Sequence, residues 1–298
     1  MTAAILPGEG NAPEAPAPVP VEGLILVATP IGNLADISRR ALETLAAVDI
    51  VACEDTRLTG RLLQRFAIKA RLVAYQDHNA EKSRPELLRL LAAGRSIALV
   101  TDAGTPTISD PGYKLVREAA AQGTAVTAVP GPAAPVVALS ISGLPTDRFF
   151  FGGFLPTKSG ERRRTLEEVA QLRATLIFFE APRRLAETLA DAGAILGPRE
   201  MAVARELTKR FEDVTRGRID ELARHYAEIE PPKGEAVLMF GPPEREERPS
   251  EEMLDALLAK ALARLSVKDA AKEVASETGL PRKTVYDRAL QLRDGGAT

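Results

Sequence analysis

Four short stretches rich in glycine, proline and oxygen-bearing side chains each follow an apolar run that predicts a β-strand. They are TPIGNL at 29–34, TDAGTPTISDPG at 101–112, VPGPAA at 129–134 and FEAPRRL at 179–185. An open α/β sheet binds its ligand beyond the carboxyl ends of its strands. We therefore expect these stretches to border one ligand site, although each by itself also has the composition of an ordinary turn.

The second of these stretches carries the densest set of groups that can bind a ligand. Its glycines allow close approach to backbone N–H and C=O groups, and its carboxylates accept hydrogen bonds. Asp102, at a predicted strand end, is suited to a ribose hydroxyl or to a cationic centre. Asp110 is expected instead to cap a helix that begins near Pro111.

Several common catalytic motifs are absent from the sequence. No G-x-G-x-x-G stands between a strand and a helix, and there is no G-x-x-x-x-G-K-[ST], so a nicotinamide dehydrogenase and a P-loop enzyme lose their main support. His78 and His225 lie outside any G-x-S-x-G context, which argues against a serine hydrolase. His78 is either a site residue or an ordinary surface or core histidine.

The elements that must position these groups alternate along the chain. From Leu24 onward, apolar runs alternate with amphipathic helical stretches, which is typical of βαβ units. The runs of the first half predict strands covered on both faces, hence a mostly parallel sheet. The second series, from 149 to 241, has less helix between its runs and predicts a mixed sheet in a second domain.

The predicted fold class is therefore α/β, with two α/β domains followed by a small all-α module. The predicted segments are a disordered leader at 1–22, domains at 23–145 and 146–242, and a linker with a helical module at 243–298. In that module, a capping box at Ser266, a stop at Gly279 and a first-turn proline at Pro281 predict a helix-turn-helix arrangement. Because its basic and acidic residues nearly balance, RNA docking or packing is favoured over DNA reading.

Composition limits the class of protein. The 298 residues carry a formal net charge of −2, and no apolar run approaches the ~20 residues that span a bilayer. The net charge argues against a broad basic surface for nucleic acid, so any RNA contact must be local. The single cysteine, Cys53, cannot form an internal disulfide, and without a Cys/His cluster no metal site is expected. These features fit a cytoplasmic protein.

Longer segments carry a resemblance to a known family. They are LILVATPIGNLADISRRALETLAAVDIVACEDTRLTGRLL, TDAGTPTISDPGYKLV, VPGPAAPVVALSISGLPTDRFFFGGFLP, LIFFEAPRRL, VARELTKRFEDVTRG and KGEAVLMFGP. In order and in register, over residues 24–242, the chain resembles the 16S rRNA (cytidine 1402) 2′-O-methyltransferase family of the tetrapyrrole-methylase superfamily. The resemblance implies S-adenosylmethionine in a cleft between two α/β/α domains, a homodimer, and a cytidine of the small ribosomal subunit's decoding centre as acceptor.

The resemblance also implies which residues bind the cofactor. They lie in the four stretches and on one later strand: Pro30, Asp102, Ala103, Gly104, Thr105, Ser109, Pro130, Gly131, Ala133, Ala134, Phe179 and Ala204.

A ribose hydroxyl is a weak acid, so a positioned base should assist methyl transfer by about 10²- to 10⁴-fold. Carboxylates at or just beyond predicted strand ends are the candidates: Glu54, Asp55, Glu180 and Glu206. Basic residues that could hold RNA phosphate are Arg57, Lys158, Arg162, Arg163, Arg164, Arg183 and Lys209. The alternative for each is a structural ion pair or, for the arginine cluster, a solvated helix face.

Two rival functions remain open at this level. A tetrapyrrole (precorrin-type) C-methyltransferase would use the same scaffold, because fold alone does not fix the acceptor. A non-catalytic ribosome-assembly factor would bind RNA without consuming the cofactor.

Overall fold

The computed structural model describes residues 22–76, 78–243 and 250–295. The chain forms two compact units, Met1–Pro243 and Glu244–Thr298. The predicted leader at 1–22 lies almost wholly outside the described residues, and so does most of the predicted linker. Among the described helices, none is both long and apolar enough to cross a membrane.

The first sheet has five parallel strands in the order β3-β2-β4-β1-β5. Their bounds are β1 Leu24–Val27, β2 Ile50–Cys53, β3 Leu72–Ala74, β4 Ile97–Leu99 and β5 Val126–Val129. Successive residues of a strand point to opposite faces. Accordingly, Ile50 and Ala52 join one buried cluster and Val51 and Cys53 another, so the predicted two-sided burial is confirmed.

Four helices flank this sheet, preceded by a short 3-10 helix at Leu34–Asp36. They are α1 Arg39–Ala47, α2 Thr56–Arg65, α3 Ala80–Ala92 and α4 Tyr113–Ala121. Side chains cap two of them: Ser38 accepts a hydrogen bond from the Ala41 N–H, and Asp55 accepts one from the Arg57 N–H. The expected cap at Asp110 is wrong, because α4 begins at Tyr113 with Gly112 at its N-cap and no side-chain cap.

The second sheet is mixed, as predicted, with the order β6-β7-β10-β8-β9. The pair β6–β7 is parallel, and the remaining neighbours are antiparallel. The strand bounds are β6 Phe149–Phe154, β7 Thr175–Glu180, β8 Glu200–Arg205, β9 Asp213–Arg218 and β10 Ala236–Phe240.

Helices cover both faces of the second sheet. One face packs on α6 Ser159–Val169, α7 Leu185–Leu196 and α8 Ile219–Glu228, with a 3-10 turn at Pro182–Arg184 before α7. The other face packs on α5 Ala134–Ser142, whose Ala138 and Leu139 are buried against it. The sequence prediction assigned α5 to the first domain, whereas its packing partner is the second sheet. The boundary near residue 145 stays a prediction.

The second compact unit contains three helices: α9 Glu251–Leu262, α10 Val267–Thr278 and α11 Arg282–Gly295. Ser266 caps α10 by accepting from the Asp269 N–H, and Gly279 ends it in the left-handed conformation. Leu258, Val274 and Val285, one from each helix, share a buried core. The predicted helix-turn-helix arrangement of α10 and α11 is confirmed.

Candidate active site

A cavity of about 460 Å³ opens where turns that follow strands of both sheets meet within the first unit. The first half of the chain contributes residues 102–105 and 108–110, which follow β4. The second half contributes the ends of β6 and β7 and residues 234–237 at the start of β10. The cavity lies where the sequence predicted a ligand site, beyond the carboxyl ends of strands.

The backbone of the loop after β4 is held in an uncommon conformation. Thr107 and Ser109 have φ angles of 73° and 63°, and Gly104 has 89°. The loop is fixed by reciprocal backbone hydrogen bonds between Thr29 and Gly104 and by the Thr105 hydroxyl, which donates to the Pro132 carbonyl at 3.1 Å. Non-glycine residues with positive φ concentrate at ligand sites, where the surrounding structure enforces them.

The ionisable groups that line the cavity are all acidic. Among the described residues at its wall there is no lysine, arginine or histidine, and the carboxylates are Glu54, Asp102, Asp110, Glu180 and Glu235. Partial burial and the nearby charge of Asp55 raise the pKa of Asp102, even though its Oδ1 accepts a hydrogen bond from the Asp55 N–H at 3.0 Å. Such a wall favours a ligand that carries positive charge.

Glu54 and Glu180 are the two predicted catalytic carboxylates that line the cavity. The Thr101 hydroxyl donates to Glu54 Oε2 at 3.2 Å, and Thr29 in turn donates to the Thr101 carbonyl. Glu180 is buried and accepts from its neighbour's N–H, from the Thr188 hydroxyl at 2.7 Å and from Arg184 Nε at 2.6 Å. The Glu180 carboxylate is therefore hydrogen-bonded to residues at the start of α7.

The other two predicted carboxylates do not line the cavity. Asp55 caps α2, and hydrogen bonds from Arg57 lower its pKa to about 2. Glu206, at a positive φ of 49°, accepts from Lys209 Nζ at 3.0 Å and from the Glu235 N–H at 3.1 Å. The hydrogen bond from Lys209 is the main reason why the pKa of Glu206 is lowered. Both carboxylates are thus held in their charged form by a basic neighbour.

Of the twelve residues implied as cofactor contacts, nine line the cavity: Asp102, Ala103, Gly104, Thr105, Ser109, Ala133, Ala134, Phe179 and Ala204. Pro30, Pro130 and Gly131 do not. Gly131 packs against Ala28 instead, since an added Cβ would lie 2.9 Å from the Ala28 Cβ.

Sequence reasoning did not name several wall residues as site residues. Ile31, Ile108, Asp110, Ala181 and Pro182 lie inside stretches that were expected to border the site, whereas the others lie outside them: Pro135, Phe154, Leu207, Gly234, Glu235, Ala236 and Val237. A signal existed for some of them, since Gly234 to Val237 lie within the family-like segment KGEAVLMFGP. Phe154 also lies within a family-like segment, but nothing in the sequence indicates that its ring faces the cavity, because its orientation depends on an irregularity in β6.

None of the residues predicted to bind RNA lines the cavity. Arg57, Lys158, Arg164 and Arg183 are exposed, and Arg57 and Lys158 form ion pairs with Asp55 and Glu161. Lys209 bridges Glu206 and Glu235, and Arg163 is half-exposed and paired with Asp191.

Arg162 requires a correction. It is only 2% exposed and is paired with Asp191, so it offers no surface to an RNA, and we remove it from the predicted RNA contacts. His78 is exposed and does not line the cavity.

Comparison with known proteins gives a consistent result. A family model described as Tetrapyrrole (Corrin/Porphyrin) Methylases matches residues 23–223, and one described as RsmI C-terminal HTH domain matches residues 247–293. A Mesorhizobium japonicum protein named Ribosomal RNA small subunit methyltransferase I is 52% identical over 273 residues, which cover 91% of this chain and 92% of that protein. The Escherichia coli O157:H7 protein of the same name is 47% identical over 90% of this chain and 94% of its own length.

Two solved structures share the fold at low identity. A diphthine synthase superposes with a TM-score of 0.58 at 16% identity, over 73% of this chain and 89% of its own. A cobalt precorrin-4 methyltransferase superposes with a TM-score of 0.54 at 17% identity, over 76% of this chain and 97% of its own.

Proposed function

Because the chain belongs to the ribosomal RNA small subunit methyltransferase I family, within the tetrapyrrole methylases, we propose that its acceptor is a cytidine 2′-hydroxyl, at position 1402 of 16S rRNA. The protein is an S-adenosylmethionine-dependent enzyme that methylates small-subunit rRNA. An identity of 46–52% to relatives of that name, over about 90% of the chain, argues against the C-methyltransferase and the non-catalytic alternatives.

The acidic wall of the cavity is the observation that supports the donor site best. Its carboxylates suit a ligand with sulfonium and ammonium charges, and Asp102 can accept a hydrogen bond from a ribose hydroxyl. Gly104 and Gly234, with φ angles of 89° and 96°, let backbone approach a ligand closely. The residues present therefore fit S-adenosylmethionine.

The chemistry is an in-line displacement. Bound S-adenosylmethionine supplies an electrophilic methyl group on a positively charged sulfur. The ribose oxygen would accept that methyl group in exchange for its own proton, which would pass to a base of the chain. The chain's own contribution begins with alignment of the two reactants and exclusion of water, and alignment alone can supply roughly 7–11 kcal/mol.

We assign the proton acceptor to Glu54. Of the four candidate carboxylates, only Glu54 and Glu180 line the cavity. Glu180 already accepts from three donors, one of them Arg184, so its oxygens are engaged at the start of α7. Glu54 follows β2 at the cavity wall, and one of its partners is the neutral Thr101 hydroxyl, which donates to Oε2 at 3.2 Å.

The test is methyl transfer to small ribosomal subunits from a strain that lacks the enzyme. Alkali cleaves RNA through the 2′-hydroxyl, so a 2′-O-methyl group protects one phosphodiester bond. We expect labelled methyl from the donor to appear with a single new alkali-resistant bond, after cytidine 1402. Label on a base, or a resistant bond elsewhere, would contradict the proposed acceptor.

The remaining partner assignments are also proposals. The family resemblance supports a homodimer that acts in the cytoplasm on 16S rRNA, either free or within the small ribosomal subunit. Sedimentation velocity of the purified chain should show a species of twice the 31.9 kDa chain mass.

A further inference from the structure

We propose that Phe154 is the platform on which a nucleobase of the acceptor RNA stacks, an inference that rests on the function proposed above. Phe154 ends strand β6, lines the cavity and keeps 65% of its surface exposed. A large apolar side chain this exposed at a ligand site needs a role, because solvent contact brings it no stabilisation.

A bulge in β6 turns this ring toward the cavity. Phe151 pairs with Ile177, and Phe154 pairs with Phe179. Between these two pairs β6 advances by three residues and β7 by two, so β6 contains one extra residue. Side chains alternate between the faces of a strand, so without the extra residue Phe151 and Phe154 would point to opposite faces. The bulge brings both rings to the same face, where each contacts Phe179.

Two glycines make the bulge feasible. A Cβ on Gly152 would lie 2.3 Å from Cε1 of Phe178, and Gly153 has a φ of 68° that larger residues rarely adopt. A Cβ on Gly153 would lie 3.2 Å from the Ser109 hydroxyl, in the strained loop after β4. The bulge therefore lies close to the loop after β4, which also lines the cavity.

Aromatic packing fixes the ring from behind. The ring centroids of Phe154 and Phe179 are 5.1 Å apart with a tilt of 54°, and those of Phe151 and Phe179 are 5.0 Å apart, edge to face. Phe179 is partly buried and shares its apolar cluster with Ala204 and Val237, which also line the cavity. Phe154 is the most exposed of these three rings and stands at the rim of the cavity, within reach of a second reactant.

The chemistry of the rim favours a base over other parts of an RNA. The cavity's carboxylates repel phosphate, whereas an aromatic face attracts the flat face of any base. An RNA nucleotide whose ribose enters an enclosed site must leave its own stack, and proteins commonly hold such bases on aromatic side chains. Loss of one stacking partner weakens binding by roughly tenfold or more.

The absence of tryptophan from the chain allows a direct optical test. Phe154→Trp introduces the sole tryptophan, at the rim of the cavity, and Phe149→Trp introduces one on the same strand at a position that is also exposed but does not line the cavity. Each variant is mixed with the unmethylated acceptor that the wild type modifies, and the signal of the tryptophan-free wild type with acceptor is subtracted. We expect quenching for Phe154→Trp and little change for Phe149→Trp.

The cofactor also carries a nucleobase, adenine, so a separate experiment adds S-adenosylhomocysteine alone. Quenching of Phe154→Trp by that compound, without acceptor, would overturn the proposal and assign the ring to the cofactor's adenine. No quenching by an acceptor that Phe154→Trp itself methylates would overturn it as well.

Steady-state kinetics of two further variants test the proposal even if the tryptophan variant does not fold. Phe154→Leu should raise the KM for acceptor roughly tenfold or more and change the donor Kd less than twofold, while Phe154→Tyr should stay near wild type. An unchanged KM in Phe154→Leu would contradict stacking. Failure of the proposed function is distinguishable, because the wild type itself would then transfer no methyl group to the RNA.

Discussion

Asp191 on α7 accepts a hydrogen bond from Arg162 Nε on α6 at 2.8 Å, and Arg162 is almost fully buried. The same carboxylate accepts from Ser159 at 2.9 Å and from Arg163 at 2.9 Å. Three donors on α6 thus converge on one acceptor of α7. The pair joins two helices that cover one face of the second sheet, so its role is structural.

Asp191→Asn should lower the free energy of unfolding of the first unit by roughly 3–5 kcal/mol at pH 7, because the Arg162 charge stays buried without its counterion. Urea unfolding measures the decrease. Glu167→Gln, at an exposed position of α6, removes the same charge and should change stability by less than about 0.5 kcal/mol. Equal decreases in both variants would show that the buried pair is not the cause.

The same pair gives a dependence on pH. Burial raises the pKa of Asp191, but hydrogen bonds from Ser159 and Arg162 and the charge of Arg162 outweigh it, so its pKa is lowered from 3.8. A lowered pKa stabilises the folded state above the ordinary value, and that stabilisation is lost as the pH falls through the folded value. The difference in the free energy of unfolding between wild type and Asp191→Asn should therefore decrease below about pH 4. A constant difference from pH 7 to pH 3 would contradict this account.

The arginine cluster shows why sequence alone misjudged this region. Consecutive helical residues are about 100° apart around the axis, so Arg162, Arg163 and Arg164 cannot share one face. One of them points inward, and its acidic partner lies 29 residues away on another helix. Neither the inward position nor the partner is visible in a local pattern of basic residues.

Glu54→Gln should lower kcat by about 10²- to 10⁴-fold while the KM for acceptor changes little. The amide keeps the shape of the side chain but cannot take up the hydroxyl proton. Single-turnover methyl transfer as a function of pH is the measurement, and the variant should lose the rise in rate that deprotonation of the base gives the wild type. Asp55→Asn is the matched control, because it removes a carboxylate from the next residue outside the cavity. If Glu54→Gln stayed within threefold of wild type, Glu54 would not be the base.

Gly234→Ala should impair donor binding through Glu206. An added Cβ would lie 2.0 Å from Glu206 Oε1, which accepts from Lys209 and the Glu235 N–H beside the cavity. Displacement of this turn should lower kcat/KM for the donor by roughly 10- to 100-fold. Gly94→Ala controls for backbone strain, since Gly94 also has a positive φ but nothing lies within 4 Å of an added Cβ. Equal activity of the two variants would contradict the role of this turn.

Much of the site was predictable because its walls follow strands that are apolar runs. Asp102 to Thr105, Ser109, Ala133 and Ala134 line the cavity, in agreement with that reasoning and with the family resemblance, and their contact with the cofactor stays a prediction. Phe154 did not, because its orientation depends on a bulge that exists only in relation to β7. The packing of α5 on the second sheet was missed for a related reason: an apolar helix does not encode which sheet it covers.

The second compact unit offers a last prediction, which concerns the start of α11. Arg282 and Lys283 are exposed in its first turn, where backbone N–H groups and the helix dipole also favour phosphate. In a helix-turn-helix arrangement the second helix is the one that contacts nucleic acid. If this unit docks RNA, the double variant Arg282→Ala/Lys283→Ala should raise the KM for acceptor and leave kcat at saturation unchanged. The slope of log KM against log salt concentration should fall by about 0.7 for each RNA phosphate that the variant no longer neutralises.

The control is the double variant Lys268→Ala/Lys272→Ala, on exposed positions of α10, which removes the same charge and should have a smaller effect on KM. An unchanged KM and slope in the α11 variant would instead assign this unit a packing role.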